Sequence, residues 1–143
     1  MGKAVKSYAL DANAVISFLE GRAGADKVES VLELAEAREA VVFLSTINLA
    51  EVFYSVWNIH GEEQARLKLQ QIVNSPIQIV SADFDASIRS AETKARYRCG
   101  LTDAFAASLA MSKRATLVTA DPEFRKFGDK LRVIWLPGHK SIQ

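Results

Sequence analysis

Seventeen Asp and Glu residues are spread along the chain, and four of them stand apart from every other charge. Asp11 is the only charged residue between Lys6 and Glu20, and Glu51 the only one between Glu39 and Glu62. Asp103 is alone between Arg98 and Lys113, and Asp121 between Arg114 and Glu123. Each sits in a segment built for burial: Tyr-Ala-Leu-Asp-Ala-Asn, Leu-Ala-Glu-Val-Phe-Tyr, Leu-Thr-Asp-Ala-Phe-Ala-Ala and Leu-Val-Thr-Ala-Asp-Pro. Other acids keep ordinary company, with Glu62 and Glu92 preceding Arg66 and Arg96 at surface-helix spacing. Burying a lone carboxylate costs roughly several kcal/mol unless a partner offsets it. No Lys or Arg lies within the apolar segments that carry the four, so the partner is either a remote basic residue or a cation from solvent. Four isolated acids without matching isolated bases favour a divalent metal, and hard oxygen ligands select magnesium or manganese over zinc.

A plainer reading competes for three of them. Asp11, Asp103 and Asp121 each stand where a helix is expected to begin, and Asp is a favoured N-cap. Glu51 is different. It falls inside a helix that is apolar almost all round, where capping cannot explain it; a buried pair with a distant Arg is the remaining structural alternative.

The elements that must position these acids follow from apolar spacing. Short apolar runs at Val5–Leu10, Val41–Leu44, Ile77–Val80, Ala115–Thr119 and Leu131–Leu136 read as strands. Helical spacing covers Ala12–Leu19, Ala25–Arg38, Thr46–Ile59 with Ser45 as its cap, and Glu62–Asn74. A further helix, capped by Ser81 or Asp83, reaches Tyr97 before Gly100. Thr102 or Asp103 opens an Ala-rich helix to Ser112, and Asp121-Pro122-Glu123 starts a short one, Pro being favoured in a first turn. Strands that alternate with helices, and are apolar without alternation, imply a parallel sheet covered on both faces. Ligands of such sheets lie beyond the carboxyl ends of the strands. Asp11 follows the first strand directly and Asp121 follows the fourth by two residues, so both belong at that edge.

Bulk properties set the outer bounds. A chain of 143 residues, 49% apolar, makes one domain with a core of its own, with residues 1–4 and 138–143 expected as flexible ends. The formal net charge of +1 neither requires nor excludes nucleic acid as a ligand. A single cysteine, Cys99, rules out an intrachain disulfide and a Cys-based zinc site, and a reducing, cytoplasmic setting is expected. No apolar run approaches the ~18 residues of a membrane span. Ser-His-Asp chemistry has no support, since His60 follows the third helix and His139 lies in a polar tail, both read as solvated, and Cys99 reads as a packing or helix-end residue.

Taken in order, Leu-Asp-Ala-Asn, Leu-Ala-Glu-Val, Leu-Thr-Asp-Ala-Phe-Ala-Ala and Leu-Val-Thr-Ala-Asp-Pro-Glu-Phe resemble the motifs of the PIN domain, above all the VapC-type toxin nucleases of toxin–antitoxin pairs. The resemblance implies a single α/β domain with a five-stranded parallel sheet. It implies an RNA-cleaving site in which Asp11, Glu51, Asp103 and Asp121 hold one or two Mg2+ or Mn2+ ions, supported by Asn13 and Thr119. Glu123 matches a position where some relatives carry a further acid, and a solvent-facing place in a first helical turn is the reading preferred for it. A metal in such a site lowers the pKa of its bound water and stabilises the developing oxyanion, so no histidine base is needed. Arg96, Arg98, Lys113, Arg114 and Arg125 are the candidate cations for the phosphate backbone, with Lys94, Lys126 and Lys130 beside them; a solvated helix face is the alternative for each. Partners implied are an RNA substrate, a second copy of the chain and a cognate antitoxin. Phe53, Tyr54, Trp57 and Ile59 mark the region Thr46–Ile72 as the dimer surface.

Three other readings compete. A haloacid-dehalogenase-like phosphatase wants a second acid where Asn13 stands. A CheY-like receiver wants paired acids before its first helix and a late lysine, which Thr119-Ala120-Asp121 does not supply. A PIN-like RNA-processing, RNA-binding or assembly protein that is not a toxin is the alternative that the motifs leave open.

Overall fold

The structure, a computed structural model, describes residues 5–138; residues 1–4 and 139–143, and with them His139 and most of the expected flexible ends, lie outside the described residues. Five strands, β1 (Lys6–Leu10), β2 (Ala40–Ser45), β3 (Gln78–Val80), β4 (Thr116–Thr119) and β5 (Val133–Trp135), form one sheet in the order β3-β2-β1-β4-β5. Every pairing is parallel. Six α-helices link them: α1 (Ala12–Leu19), α2 (Ala25–Glu36), α3 (Thr46–His60), α4 (Glu62–Val73), α5 (Phe84–Tyr97) and α6 (Leu101–Ser112). A 3-10 segment over Pro122–Lys130 joins β4 to β5. The expected α/β domain with a five-stranded parallel sheet is thus present, and no helix among the described residues is long and apolar enough to cross a membrane.

Successive strand residues face opposite sides, so each short apolar strand feeds two cores. Leu10, Val42, Leu44 and Val118 join one core with Val15, Val28, Val52 and Val56 of α1, α2 and α3. Ala9 and Leu117 join the other, beneath Ala104, Ala106, Ala107 and Ala110 of α6 and Phe124 and Phe127 of the 3-10 segment. The small side chains of α6 let its backbone lie close to the sheet. Register then fixes what matters for function: Leu10 pairs with Val118, so the chain leaves β1 and β4 side by side, at Asp11 and Thr119.

Several boundaries differ from the sequence expectation, each for a local reason. Arg38 adopts φ 62°, which closes α2 at Glu36 rather than Arg38. Arg98, at φ 55°, ends α5 in the left-handed conformation, and Gly100 serves as the N-cap of α6. Asp103 is therefore the third residue of α6 and does not open it, which removes the capping explanation for this acid. Asp83, not Ser81, caps α5, its side chain accepting the Ala86 N–H. Val5 stays outside β1, and β5 is confined to Val133–Trp135.

Candidate functional site

Asp11 stands at the centre of the C-terminal edge of the sheet and is 5% exposed. Its Oδ1 accepts the Ala14 N–H at 2.8 Å, so it is indeed the N-cap of α1. Its Oδ2 accepts the Thr119 hydroxyl at 2.5 Å, and Thr119 Oγ1 in turn accepts the Asp121 N–H at 2.9 Å. Asp121 Oδ1 accepts the Glu123 N–H at 2.9 Å and caps the 3-10 segment. Capping and site-building coincide at both residues, because a carboxylate has about four lone-pair positions and these caps use only some of them.

The four isolated acids line a single open cavity of about 340 Å³ together with Asn13 and Asn48. Asp11 enters from the end of β1, Asp121 from beyond β4, Glu51 from the second turn of α3 and Asp103 from the first turn of α6. Glu51 has no salt-bridge partner among the described residues, so the distant-Arg alternative finds no support.

Sequence reasoning passed over Asn48. It is almost wholly buried, and its Nδ2 donates to the Thr102 carbonyl at 3.1 Å, tying α3 to the start of α6. The signal was there to read: Asn48 lies three residues before Glu51, one helical turn away, in an otherwise apolar stretch. The side-chain oxygens of Asn13 and Asn48 are both buried without a hydrogen-bond partner among the described residues. Leaving such an oxygen unpaired costs about 1–3 kcal/mol. Two of them in the wall of an acidic cavity call for a cation or its bound water.

Burial and charge crowding together raise two carboxyls of the site. Burial, with the charges of Asp103 and Asp121 adding to it, pushes Asp11 up to about 7 despite the hydrogen bonds from Thr119 and Ala14. Burial, then Asp121, Glu51 and Glu123, push Asp103 up to about 6. The donor set is all oxygen, which suits a hard divalent ion. No three Asp, Glu, His or Cys side chains among the described residues are drawn close enough to grip one ion directly. Magnesium does not need that, since it keeps several of its waters and is held by one or two carboxylates. The cavity has room for such a hydrated ion, and the unpaired amide oxygens can accept hydrogen bonds from its waters.

The remaining residues fall elsewhere. Glu123 is largely exposed and pairs with Lys126 at 3.0 Å, as expected of a solvent-facing first-turn acid. None of Arg96, Arg98, Lys113, Arg114 and Arg125 lines the acidic cavity. Lys113 lies over the Phe43 ring and Arg125 over Trp135. Arg98 and Arg114 take left-handed backbone conformations at helix ends. Cys99 is buried between α5 and α6 and serves packing. His60 is exposed but bonded to Glu20 at 3.1 Å, tying the end of α3 to the end of α1.

Comparisons with known proteins agree with this architecture. No curated protein sequence matches the chain. Among solved structures, the chain is similar to VapBC2 from Rickettsia felis bound to a DNA fragment from their promoter, with a TM-score of 0.72 and 22% identity over 91% of this chain and 98% of that one. It is similar to DNA-bound VapBC from Salmonella typhimurium, with a TM-score of 0.71 and 19% identity over 92% and 98%. It is also similar to VapC20 of Mycobacterium tuberculosis, a sarcin-ricin loop cleaving toxin, with a TM-score of 0.64 and 16% identity over 85% and 95%. Likeness at these identities speaks for the fold. The PIN domain model matches the sequence itself over residues 8–130, a span that contains all four acids of the cavity, and on that match the chain belongs to the PIN-domain family.

Proposed function

We propose that the protein is a divalent-metal-dependent endoribonuclease of the VapC type, the toxin of a toxin–antitoxin pair. The observation that carries the reading is the convergence of Asp11, Glu51, Asp103 and Asp121 on one cavity with no basic side chain in its lining. Mg2+ or Mn2+ held there would supply an activated water and relieve charge on the phosphate. Asp11, fixed at both oxygens by Ala14 and Thr119, is the rigid member of the set. Glu51, Asp103 and Asp121 bring further charge from three separate elements, and Asn13 and Asn48 offer acceptors for ordered water. Hydrolysis adds water across one phosphodiester bond, the attacking oxygen going to phosphorus and the proton to the departing ribose oxygen.

RNA as the substrate rests on the family resemblance and on the likeness to a sarcin-ricin loop cleaving toxin. An antitoxin partner is supported by the likeness to VapBC structures, and a cytoplasmic, homodimeric protein is part of the same reading. The test is cleavage of single-stranded RNA with and without Mg2+, with Asp11→Asn as control. Metal-dependent cleavage that Asp11→Asn abolishes is the expected result. RNA binding without cleavage in any divalent metal would replace this reading with that of a PIN-like binding module. Cleavage with no growth arrest on expression, and no small DNA-binding protein encoded beside it, would favour an RNA-processing enzyme over a toxin.

A further inference from the structure

A second cavity, of about 390 Å³, opens between α5, α6 and the ends of β2 and β3. Its lining is polar, and its groups are suited to an anion. Arg89 and Lys113 both line it, and neither pairs with a carboxylate among the described residues. Asp83 is the one acid in the wall; its Oδ1 accepts the Ala86 N–H in capping α5, and its single charge is outweighed by the two of Arg89 and Lys113. Ser108 is 6% exposed, lines the cavity, and its hydroxyl has no hydrogen-bond partner among the described residues. That hydroxyl opens on the cavity and is free to bond a group that enters it. Ser45, also buried and in the wall, accepts the Ile47 N–H, which leaves its own hydrogen free to donate. It caps α3, so the positive end of that helix's dipole faces the same region. The loop after β3 is held in place by the Ala82 N–H donating to Thr46 Oγ1 at 2.9 Å.

We infer that this cavity binds a phosphate group, and that the group is a phosphodiester of the strand cut at the acidic cavity. The proposal rests on the nuclease reading for the identity of the strand. The sheet and α6 supply the spacing. The acidic cavity lies at the ends of β1 and β4, and the second at the ends of β2 and β3, in the order β3-β2-β1-β4. The second cavity runs along α6 from Phe105 to Lys113, and Asp103 of the acidic cavity stands on the first turn of the same helix. At ~1.5 Å per residue Lys113 lies about 15 Å along α6 from Asp103, a span that a strand rising ~3.4 Å per nucleotide covers in about four to five nucleotides. Ser45 and Asn48, one turn apart on α3, stand in the walls of the two cavities and link them. Lys113, which does not reach the acids, thereby gains a place on the path of the substrate.

Two measurements on the full chain test this. Inorganic phosphate is titrated while the backbone amides are followed by NMR. Ser45 and Ser108 should shift in the parent and stay still in Arg89→Ala/Lys113→Ala, whose changes are at exposed positions and leave the fold intact. Binding of a single-stranded 12-nucleotide RNA is then measured in EDTA, where nothing is cut, across a range of salt. The double variant should bind about tenfold more weakly, the effect of removing a charged hydrogen bond of ordinary strength. Its log–log salt slope should be shallower by ~0.7, as expected when one fewer phosphate is neutralised. No phosphate-induced shift at these amides overturns the proposal outright. Phosphate shifts together with unchanged RNA affinity overturn the strand assignment and make the cavity a site for free phosphate compounds. Absence of metal-dependent cleavage by the parent would sink the nuclease reading but leave the phosphate titration to judge the cavity by itself.

Discussion

Thr119 donates its hydroxyl hydrogen to Asp11 across 108 residues of sequence, and the same oxygen receives the Asp121 N–H. One hydroxyl thus orients two of the four acids. Thr119→Val keeps the shape of this fully buried side chain and removes both bonds. The expected loss is about 1–3 kcal/mol in denaturant unfolding, because a buried carboxylate and a backbone N–H are left short of partners. Thr119→Ser, which restores the hydroxyl, should recover most of it. Equal stability of Thr119→Val and the parent at neutral pH would show that the bond carries no weight.

The titration of the site gives a pH dependence of definite sign. Asp11 is raised from 3.8 to about 7 and Asp103 from 3.8 to about 6, so between these values the folded protein holds more protons than the unfolded chain. Stability contributed by these two groups is therefore complete below about pH 4 and declines as pH rises towards 7. Without metal, the urea midpoint should be higher near pH 5 than at pH 8, and saturating Mg2+ should reduce the difference by compensating the charge. A midpoint that climbs steadily from pH 5 to 8 in EDTA would contradict this.

Glu51→Gln should fold normally and lose RNA cleavage. Because Glu51 has no ionic partner among the described residues, the amide leaves no cation stranded. A stranded cation would lower stability by ~3–5 kcal/mol. The same preparation is assayed for melting and for RNase activity. A normal melt with the parental cleavage rate would remove Glu51 from the site.

Divalent metal should raise the melting temperature of the parent, with a linkage of ~2.7 kcal/mol at a hundredfold excess over the dissociation constant. Asp103→Asn removes one charge from the cluster that raises Asp11, so it should melt above the parent in EDTA and respond less to Mg2+. Identical melting of both proteins in EDTA and in millimolar Mg2+ would argue against a shared metal site.

Tyr54, Trp57 and Ile59 of α3 and Leu67 of α4 are exposed, whereas Phe53 packs against the core with Arg66 stacked over it. The expected symmetric dimer therefore uses the first four, and light scattering at micromolar concentration should give twice the chain mass. Tyr54→Arg/Ile59→Arg should convert it to a monomer that keeps its melting temperature. A monomeric parent would return these residues to the ordinary apolar share of a protein surface.

The isolated acids were legible because burial and charge conflict in sequence as they do in space. The parallel sheet was legible because its strands are apolar on both faces, as Ala9 and Leu10, or Leu117 and Val118, illustrate. Asn48 was not, since a neutral amide in an apolar helix raises no comparable alarm; its significance appears only with the Thr102 carbonyl beside it. The distribution of the cations was equally hidden. Lys113 and Arg114 follow Asp103 closely in sequence, yet the full length of α6 separates them from it, at about 1.5 Å per residue. The turn at Arg98 escaped notice too, because Arg gives no glycine-like signal of a left-handed conformation.

The placement of β1 between β2 and β4 also governs when the site comes into being during synthesis. Asp11 is made 108 residues before Thr119, which together with Asp121 completes its surroundings. A growing chain can form β1, β2 and the first four helices and still lack one whole side of the acidic cavity. Premature termination anywhere before β4 leaves Asp11 without its hydroxyl donor and the cavity without Asp121. The acidic cavity is therefore assembled late, when β4 joins the sheet beside β1.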